Sequence, residues 1–411
     1  MTPPVADSTT VPETEPRARR PPLLLLLFFA VGLLFTAIGI VECGFIGYDW
    51  ASGGALSGLR APDLGRGVRS WTMHHAMRPG YSDSAARLNS FGLRSPEVAV
   101  PKPAGTPRIL VLGDSFTFGF RAAEEDVFVR RLENRLRAQG LPALEVVNAG
   151  VVSYCPLLEY LQYKHQLHVL QPDLVILNFD MSDVQDHLEY SRDGVWSDAG
   201  VPLYVTEPSL GKGATAWPQL LSFQWVARKF NAATRRYQSA AEKSPFARDL
   251  DRYLWTFDGN DGWEKEAAST MAPIAELSKL LQHDHIPLIV ATYPQPWQVA
   301  ANATPYEPIR TQYGVGMNKV HLNDRPFKLL ERFTAEHGIP FMNAAPVFRA
   351  DADPASLFLQ TDFHFSPRGN DLYAQLLAAR VTAMGFGSAS FPGGAPLPGA
   401  GSATGREPLR P

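Results

Sequence analysis

Three side chains with the chemistry of a nucleophile, a base and an orienting acid lie in two short segments of this sequence. Ser115 follows an apolar run in the stretch RILVLGDSFTFGF, and Asp362 and His364 lie in TDFHFSPRGNDL. A neutral imidazole can accept the proton of a serine hydroxyl and return it to a leaving group, and a carboxylate can hold that imidazole in the required tautomer. Brought together, the three would support acyl transfer through a covalent intermediate.

Each segment on its own also has a plainer interpretation. Asp114 and Ser115 are both good helix caps, and Asp362 and His364 fit a turn before a helix. The stretch around Gly113 has neither the lysine and spacing of a phosphate-binding loop nor the G-x-S-x-G turn of the α/β-hydrolases. The catalytic interpretation depends on whether the fold places the two segments at the same edge.

The predicted elements do place them at one edge. Apolar strands alternate with helices across residues 107–386. The predicted strands are 108–112, 144–147, 174–179, 286–293 and 339–342, and the predicted helices are 125–138, 157–170, 263–283, 324–337 and 367–384. This alternation indicates a parallel sheet with helices on both faces. Ligands bind beyond the carboxyl ends of such strands, where Ser115 and the loop containing His364 would both lie.

Gly113-Asp114-Ser115 after a buried strand, with Asp362 and His364 before the last helix, resembles the SGNH (GDSL) hydrolase family over residues 107–386. The flanking sequence is similar to the bacterial, envelope-facing branch of that family. The resemblance implies a flavodoxin-like three-layer α/β/α sandwich that acts on ester bonds without a metal or organic cofactor. It also implies that Ser115 is the nucleophile, His364 the general base and Asp362 its orienting partner.

The same resemblance implies a set of oxyanion donors, and here the sequence departs from the family pattern. The backbone N–H of Ser115 is the first donor. Ser153 stands where the family has a donating glycine, and its backbone N–H can serve if the residue adopts the needed dihedrals. Ser182 stands where the family has a donating asparagine, and its hydroxyl is a shorter donor. Asn178 is a second candidate for that role. The family triplet also appears as Gly259-Asn260-Asp261, far beyond the third strand, where a turn is expected.

Residues 23–41 form a charge-free apolar run. At about 1.5 Å per residue, a helix of this length just spans a hydrocarbon core of about 30 Å. Three arginines within residues 17–20 precede the run, and the next basic residue is Arg60. The positive-inside rule therefore predicts a single-pass inner-membrane protein with residues 1–22 cytoplasmic and the catalytic domain periplasmic. A cleaved signal peptide is disfavoured, because the run ends in IVECG rather than in a small-residue cleavage site.

The remaining segments are assigned by composition. Residues 1–22 are predicted to be a disordered tail, 42–106 a stalk and entry segment, 189–262 an insertion in the domain, and 387–411 a disordered Gly/Pro/Ala tail. The net charge of −3 with 19% charged residues gives no argument for a nucleic-acid partner. The two cysteines, Cys43 and Cys155, are expected to be unpaired thiols.

Other side chains have two interpretations each. His165 and His168 are spaced like a metal pair on a helix, but no carboxylate partner is evident. Arg94 either binds an anionic group or ties the entry segment to the domain. Aromatic side chains in or beside the insertion either stack on sugar rings or pack it against the body; they are Trp196, Trp217, Trp225, Trp255 and Trp263.

Three functions fit these features. The first is a membrane-anchored extracytoplasmic serine esterase that hydrolyses an acylated small molecule or the O-acyl groups of an envelope polysaccharide. The second is a polysaccharide O-acetyltransferase that uses the same three residues. The third is a noncatalytic glycan-binding or assembly protein on the same fold, which the altered position of Ser182 favours.

Overall fold

The structure, a computed structural model, describes residues 23–51, 66–207, 252–260 and 262–388. The chain divides into two units. The first contributes helix α1 (Leu23–Ala51). Within the described residues, one helix is long and apolar enough to cross a membrane, over Leu27–Tyr48 of α1. The predicted span at 23–41 therefore lies in a longer helix, and the predicted tails at 1–22 and beyond residue 388 lie outside the described residues.

The second unit is built on a parallel sheet of five strands, accompanied by two antiparallel hairpins. The hairpins are β1 (Gly67–Arg69) with β2 (His75–Met77) and β6 (Gly194–Trp196) with β7 (Pro202–Val205). The sheet contains β3 (Arg108–Leu112), β4 (Glu145–Asn148), β5 (Leu174–Phe179), β8 (Leu288–Thr292) and β9 (Phe341–Asn343), in the order β4-β3-β5-β8-β9. Every pairing in this sheet is parallel.

Helices cover both faces of the sheet. In chain order after α1 they are α2 (Ser115–Phe118), α3 (Phe128–Ala138), α4 (Pro156–Gln162), α5 (Asp183–Tyr190), α6 (Glu264–His283), α7 (Glu307–Gln312), α8 (Arg325–Glu336), α9 (Ala345–Arg349) and α10 (Pro367–Ala383). Helices α3 and α10 pack on one face, and α4, α6 and α8 pack on the other.

The alternation of strand side chains produces the two cores. Ile109 and Val111 of β3 point into the core under α3 and α10, whereas Leu110 and Leu112 point into the core under α4 and α6. All five residues of β3 are buried, which explains why this strand is an unbroken apolar run after its arginine. In the order of the five sheet strands along the chain, the arrangement is 2-1-3-4-5, the flavodoxin-like order. The predicted three-layer α/β/α fold is confirmed.

Two predicted helices differ in detail. The helix expected over 157–170 is regular only through Gln162, after which a π turn (Tyr163–Leu167) and a 3₁₀ turn (His168–Leu170) follow. The ring of His165 contacts the Leu203 carbonyl oxygen at 2.8 Å, so this histidine holds the second hairpin. At the start of α8, Asn323 accepts the N–H of Arg325, which is the role expected of Asp324.

Residues 66–106 belong to the body rather than to a stalk. Strands β1 and β2 form a hairpin, and Met73 bridges to Val205 at the end of β7. Met77, Leu88 and Leu93 are buried in the core that lies under α4 and α6. The predicted stalk and entry segment at 42–106 is therefore divided: its first residues continue α1, and from residue 66 onward it supplies part of the hydrophobic core.

The described part of the predicted insertion also packs on the body. Trp255 is buried and donates its indole N–H to the Met181 carbonyl at 2.7 Å, and Trp263 packs against the core, whereas Trp196 is partly exposed. Residues 208–251, with Trp217 and Trp225, lie outside the described residues. The chain turns at Gly259, as expected for the isolated family triplet. Cys43 and Cys155 are both free, as predicted.

Arg94 ties the entry segment to the body. Its buried guanidinium donates to the carbonyl oxygens of Phe118, Gly119, Ala85 and Ala122, and it pairs with Glu124 at 3.0 Å. All of these acceptors belong to the protein, so the side chain is structural rather than an anion clamp. Two of the carbonyls close the turn that follows α2, and the arginine thereby supports the segment that carries Ser115.

We expect Arg94→Met to lower the free energy of unfolding by about 3 kcal/mol, because it leaves several buried carbonyls without a donor. Chemical denaturation of the detergent-solubilised chain measures the loss. Arg87→Met, which removes an exposed arginine from the same segment, is the control and should unfold like the wild type. Equal stability of the Arg94 and Arg87 variants would contradict this assignment.

Candidate active site

Ser115 lies where the buried strand β3 turns into the short helix α2. Gly113 makes this turn at φ 152°, and a Cβ there would lie 2.1 Å from Oγ1 of Thr117, so only glycine fits. Asp114 caps α2 by accepting the N–H of Phe116 at 2.9 Å. The capping interpretation of this stretch therefore applies to Asp114. Ser115, the first residue of α2, presents its hydroxyl to a cavity at the carboxyl edge of the sheet.

The structure brings His364 and Asp362 to this hydroxyl. Nε2 of His364 lies 2.8 Å from Oγ of Ser115, and Nδ1 of His364 lies 2.5 Å from Oδ1 of Asp362. Since a carboxylate only accepts hydrogen bonds, Nδ1 carries the proton and donates it to Asp362. Nε2 is then the unprotonated nitrogen and accepts the Ser115 O–H. This is the tautomer in which the imidazole can remove the serine proton.

The charge of Asp362 suits this arrangement. Burial opposes its ionisation, but the hydrogen bonds and charge of His364, together with the charge of Arg121, outweigh burial and hold the pKa of Asp362 below its usual value. Arg121 approaches the second carboxylate oxygen at 3.5 Å from an exposed position. Asp362 is therefore ionised at neutral pH and stabilises a positive charge on His364.

Aromatic rings fix the orientation of the imidazole. The ring centroids of Phe116, Phe120 and Phe363 lie 4.7, 5.1 and 4.3 Å from that of His364, which is only 5% exposed. The loop that carries Asp362 and His364 is also anchored, because the hydroxyl of Thr304 donates to the backbone carbonyl of Asp362. The histidine is thus held in one position facing Ser115.

Ser115 and Ser153 are the two candidates for backbone donors at the cavity. Ser153 lies in the loop after β4 at φ 64°, a left-handed conformation that few non-glycine residues adopt. Ser115 and Ser153 both line the cavity, and within the described part of the chain neither N–H donates to a protein acceptor. Ser153 thus adopts a left-handed backbone conformation of the kind that glycine favours, and its role as an oxyanion donor stays a prediction. Its hydroxyl contacts Asp186 at 3.3 Å and Tyr190 at 3.2 Å.

The other two predicted donors are placed differently. The amide of Asn178 is fully buried, donates to the Leu112 carbonyl and Thr117, and accepts from Tyr373. It holds β3 to its neighbours and does not line the cavity, so its predicted role as a donor is wrong. Ser182 does line the cavity, but its hydroxyl and its N–H both bond to the carboxylate of Asp180.

The cavity in front of these groups has a volume of about 330 Å³. Its walls combine polar groups near Ser115 with aromatic side chains further out. The aromatic lining residues are Phe120, Tyr253, Tyr313 and Phe363, and the polar ones outside the Ser115–His364–Asp362 chain include Ser153, Ser182, Arg252 and Gln312. Such a cavity accepts a small acyl group beside the serine and a flat, partly apolar group beside the aromatic rings.

Five buried carboxyl groups lie beneath and beside the cavity. Asp114, Asp180, Asp183, Asp186 and Glu159 are each no more than 3% exposed. Burial raises the pKa of every one of them, and neighbouring carboxylates raise most of them further. Burial raises the pKa of Asp186 to about 7, against the lowering effect of Arg252, which pairs with it at 2.8 Å. Both carboxyl oxygens of Glu159 lack a protein partner among the described residues.

Several residues at this site escaped the sequence analysis. Asp186 and Tyr190 lie in the helix after the third sheet strand, and no local sequence pattern distinguishes them. Arg252 and Tyr313 come from segments remote in sequence, which only the folded chain brings to the cavity. The doublet His74-His75 was visible in the sequence, but its position before the predicted domain concealed its proximity to Ser153.

Fold and site together define a three-layer α/β protein with a hydrogen-bonded Ser–His–Asp chain at the carboxyl edge of its parallel sheet. No family model matches the chain, and no curated protein matches it. Similar solved structures include a lipase/acylhydrolase from Enterococcus faecalis, at 13% identity and a TM-score of 0.38, over 68% of this chain and 96% of that one.

Two further similar structures are those of a lipase and of an esterase. A GDSL-like lipase from Bacteroides thetaiotaomicron has 14% identity and a TM-score of 0.35, over 70% of this chain and 93% of that one. A catalytic mutant of an acetylxylan esterase from Geobacillus stearothermophilus has 13% identity and a TM-score of 0.36, over 67% of this chain and 94% of that one. The fold class of the present chain follows from its strand order and helical layers.

We expect Glu159→Gln to stabilise the protein increasingly as the pH rises above about 4.5, the usual pKa of a glutamate. The folded state holds the Glu159 proton to a higher pH than the unfolded state, so unfolding releases a proton and wild-type stability falls with rising pH. Glutamine resembles the protonated side chain and does not titrate.

Thermal unfolding at pH 4 and pH 8 measures the difference. The variant should unfold close to the wild type at pH 4 and several degrees higher at pH 8. Glu331→Gln, at an exposed position, is the control and should show no pH-dependent difference. A Glu159→Gln effect of equal size at both pH values would show that folding does not raise the pKa of this carboxyl.

Proposed function

We propose that this chain is a serine esterase of the SGNH type that cleaves acyl esters through an acyl-enzyme. The observation that carries the proposal is the contact of 2.8 Å between Nε2 of His364 and Oγ of Ser115, with Asp362 on the other ring nitrogen. The strand order and the positions of these three residues along the chain are those that the resemblance to SGNH hydrolases implies.

The chemistry follows from the tautomer of His364. The Ser115 hydroxyl attacks the ester carbonyl carbon while Nε2 of His364 accepts its proton, and Asp362 stabilises the resulting imidazolium. The tetrahedral intermediate collapses as His364 protonates the departing alcohol, which leaves an acyl group on Ser115. Water, deprotonated by the same imidazole, then attacks the acyl-enzyme and releases the acid.

The developing oxyanion is received by backbone donors. Ser115 and Ser153 both line the cavity, and their N–H groups lack a protein acceptor among the described residues. Preorganised donors of this kind each contribute about 10² to 10³ in rate. The hydroxyl of Ser182 is committed to Asp180, so we assign the oxyanion two donors rather than three.

An O-acyl group on a carbohydrate is the substrate class we propose. Sugar rings have apolar faces that stack on aromatic side chains, and Phe120, Tyr313 and Phe363 line the cavity beyond Ser115. The similarity to an acetylxylan esterase agrees with this choice. Helix α1 supports attachment to a membrane through Leu27–Tyr48, and the three arginines within residues 17–20 favour a body on the extracytoplasmic side. An envelope polysaccharide is therefore the substrate we favour.

We expect wild type to react with a fluorophosphonate probe and to release acetate from p-nitrophenyl acetate and from acetylated xylo-oligosaccharides. Ser115→Ala should abolish both activities, and His364→Gln should slow them by about 10³-fold or more. His337→Gln, which changes an exposed histidine, is the control.

Product analysis in the presence of an unacetylated oligosaccharide distinguishes hydrolysis from transfer. Release of acetate into solution supports the esterase function. Formation of an acetylated oligosaccharide would instead show that the protein is an O-acetyltransferase. Wild type that is neither labelled nor more active than Ser115→Ala would establish the noncatalytic alternative.

We also expect Ser182→Asn to raise kcat for p-nitrophenyl acetate by up to about tenfold, because the longer amide reaches the cavity and adds a third oxyanion donor. Ser182→Ala should change kcat only slightly, since the hydroxyl that it removes is engaged with Asp180. A large loss of kcat in Ser182→Ala would show that the wild-type hydroxyl itself donates to the oxyanion.

A further inference from the structure

The orientation of the Ser153 N–H depends on the peptide bond that joins it to Val152. Ser153 adopts φ 64° without being glycine, so its local backbone preference does not select the observed conformation. Contacts from elsewhere must therefore hold this peptide. The Ser153 hydroxyl is held between Tyr190 and Asp186, which fixes its side chain but leaves the preceding carbonyl to be positioned.

Strand β2 supplies the missing contact. Nε2 of His75 lies 2.9 Å from the carbonyl oxygen of Val152, and the hydroxyl of Tyr154 donates to the carbonyl oxygen of His75 at 2.5 Å. His75 of β2 thus forms hydrogen bonds with the residues on both sides of Ser153, Val152 and Tyr154. In a trans peptide the C=O and the N–H point in opposite directions. A bond that draws the Val152 carbonyl toward His75 consequently aims the Ser153 N–H away from it.

The two adjacent histidines fix the donor state of this bond. A carbonyl oxygen can only accept, so Nε2 of His75 carries a proton. Burial lowers the pKa of His75 to about 4, so the ring is neutral and its Nδ1 is unprotonated. Nδ1 of His74 lies 3.0 Å from that nitrogen and is therefore the donor to it. A chain of two hydrogen bonds runs from His74 through His75 to the Val152 carbonyl.

We propose that His75 is a positioning residue of the active site, which acts through the Val152 carbonyl to aim the Ser153 N–H at the oxyanion. It touches neither the acyl group nor Ser115, and its partner His74 keeps it in the donating tautomer. This inference rests on the proposed esterase function, because it assigns a role in stabilising the tetrahedral intermediate.

A merely structural histidine would give a different response to substitution. Loss of packing between β2 and the loop would follow from any change of shape, whereas the proposed role depends on a donor at the position of Nε2. The side-chain nitrogen of glutamine occupies nearly the position of Nε2, and that of asparagine occupies nearly the position of Nδ1. His75→Gln therefore keeps a donor within reach of the Val152 carbonyl, and His75→Asn removes it while remaining polar.

The test compares kcat and KM for p-nitrophenyl acetate in full-length wild type, His75→Gln and His75→Asn, at a temperature below the unfolding transition of each. We expect His75→Asn to lose about tenfold to a hundredfold in kcat with little change in KM, because a misdirected oxyanion donor affects the transition state and not substrate binding. His75→Gln should recover most of that loss. If His75→Asn does not fold, His75→Met takes its place, because methionine has a similar side-chain volume and no hydrogen-bond donor.

His165→Gln and His165→Asn form the matched control pair. His165 also contacts a backbone carbonyl, that of Leu203, but on the second hairpin and away from the cavity. Both control variants should keep the wild-type kcat. If His75→Gln and His75→Asn have the same kcat while wild type is active, the positioning role is overturned and the esterase function stands. If wild type is no more active than Ser115→Ala, the esterase function fails and the positioning role fails with it.

Discussion

The contact between His364 and Ser115 joins residues 249 positions apart, and the rest of the structure serves to make it. A parallel sheet allows such a contact because every strand ends at the same edge, so the loops after the first and last strands meet there. Gly113 permits the turn that exposes the serine, and three phenylalanine rings hold the imidazole toward it. Each of these features would be without purpose if the sheet were antiparallel or its strands differently ordered.

The buried carboxyl groups present an electrostatic difficulty for a site that must stabilise negative charge. Ionised carboxylates beneath the cavity would repel the tetrahedral intermediate. Burial resolves the conflict, because it raises the pKa of Asp114, Asp183 and Glu159 and favours their neutral forms. Asp362, which has His364 and Arg121 beside it, has a lowered pKa. Asp362 therefore carries its negative charge where it orients the base, whereas burial disfavours ionisation of Asp114, Asp183 and Glu159.

Much of the fold could be predicted from the sequence, since apolar strand runs and helical spacing are local signals. The strands β3 and β5 have the predicted bounds, and the pair Asp362 and His364 was visible from its position before the last helix. The placement of Asn178 was not predictable, because a polar residue one position before the end of a strand can face either the cavity or the layer beneath it. Which way the side chain points depends on the face of the sheet to which it belongs, and a register shift of one residue moves it to the other face.

The segment before the sheet was misjudged for a different reason. Residues 66–106 are rich in turn formers and lack a helical or strand period, yet they contribute Met73, Met77 and Leu88 to the core. Their apolar partners lie on elements that come later in the chain, so no local pattern could reveal the packing. Composition alone consequently describes such a segment as a linker.

Because the chain is synthesised from its N-terminus, that segment is exposed before its packing partners exist. Residues 66–106 emerge from the ribosome before any strand of the central sheet, and their core partners on α4, β5 and β7 follow only later. Until those partners arrive, Met73, Met77, Leu88 and Leu93 remain uncovered on the nascent polypeptide. Within the body of the protein, this is the first segment to which a chaperone that shields apolar side chains could bind, ahead of every residue that performs the chemistry.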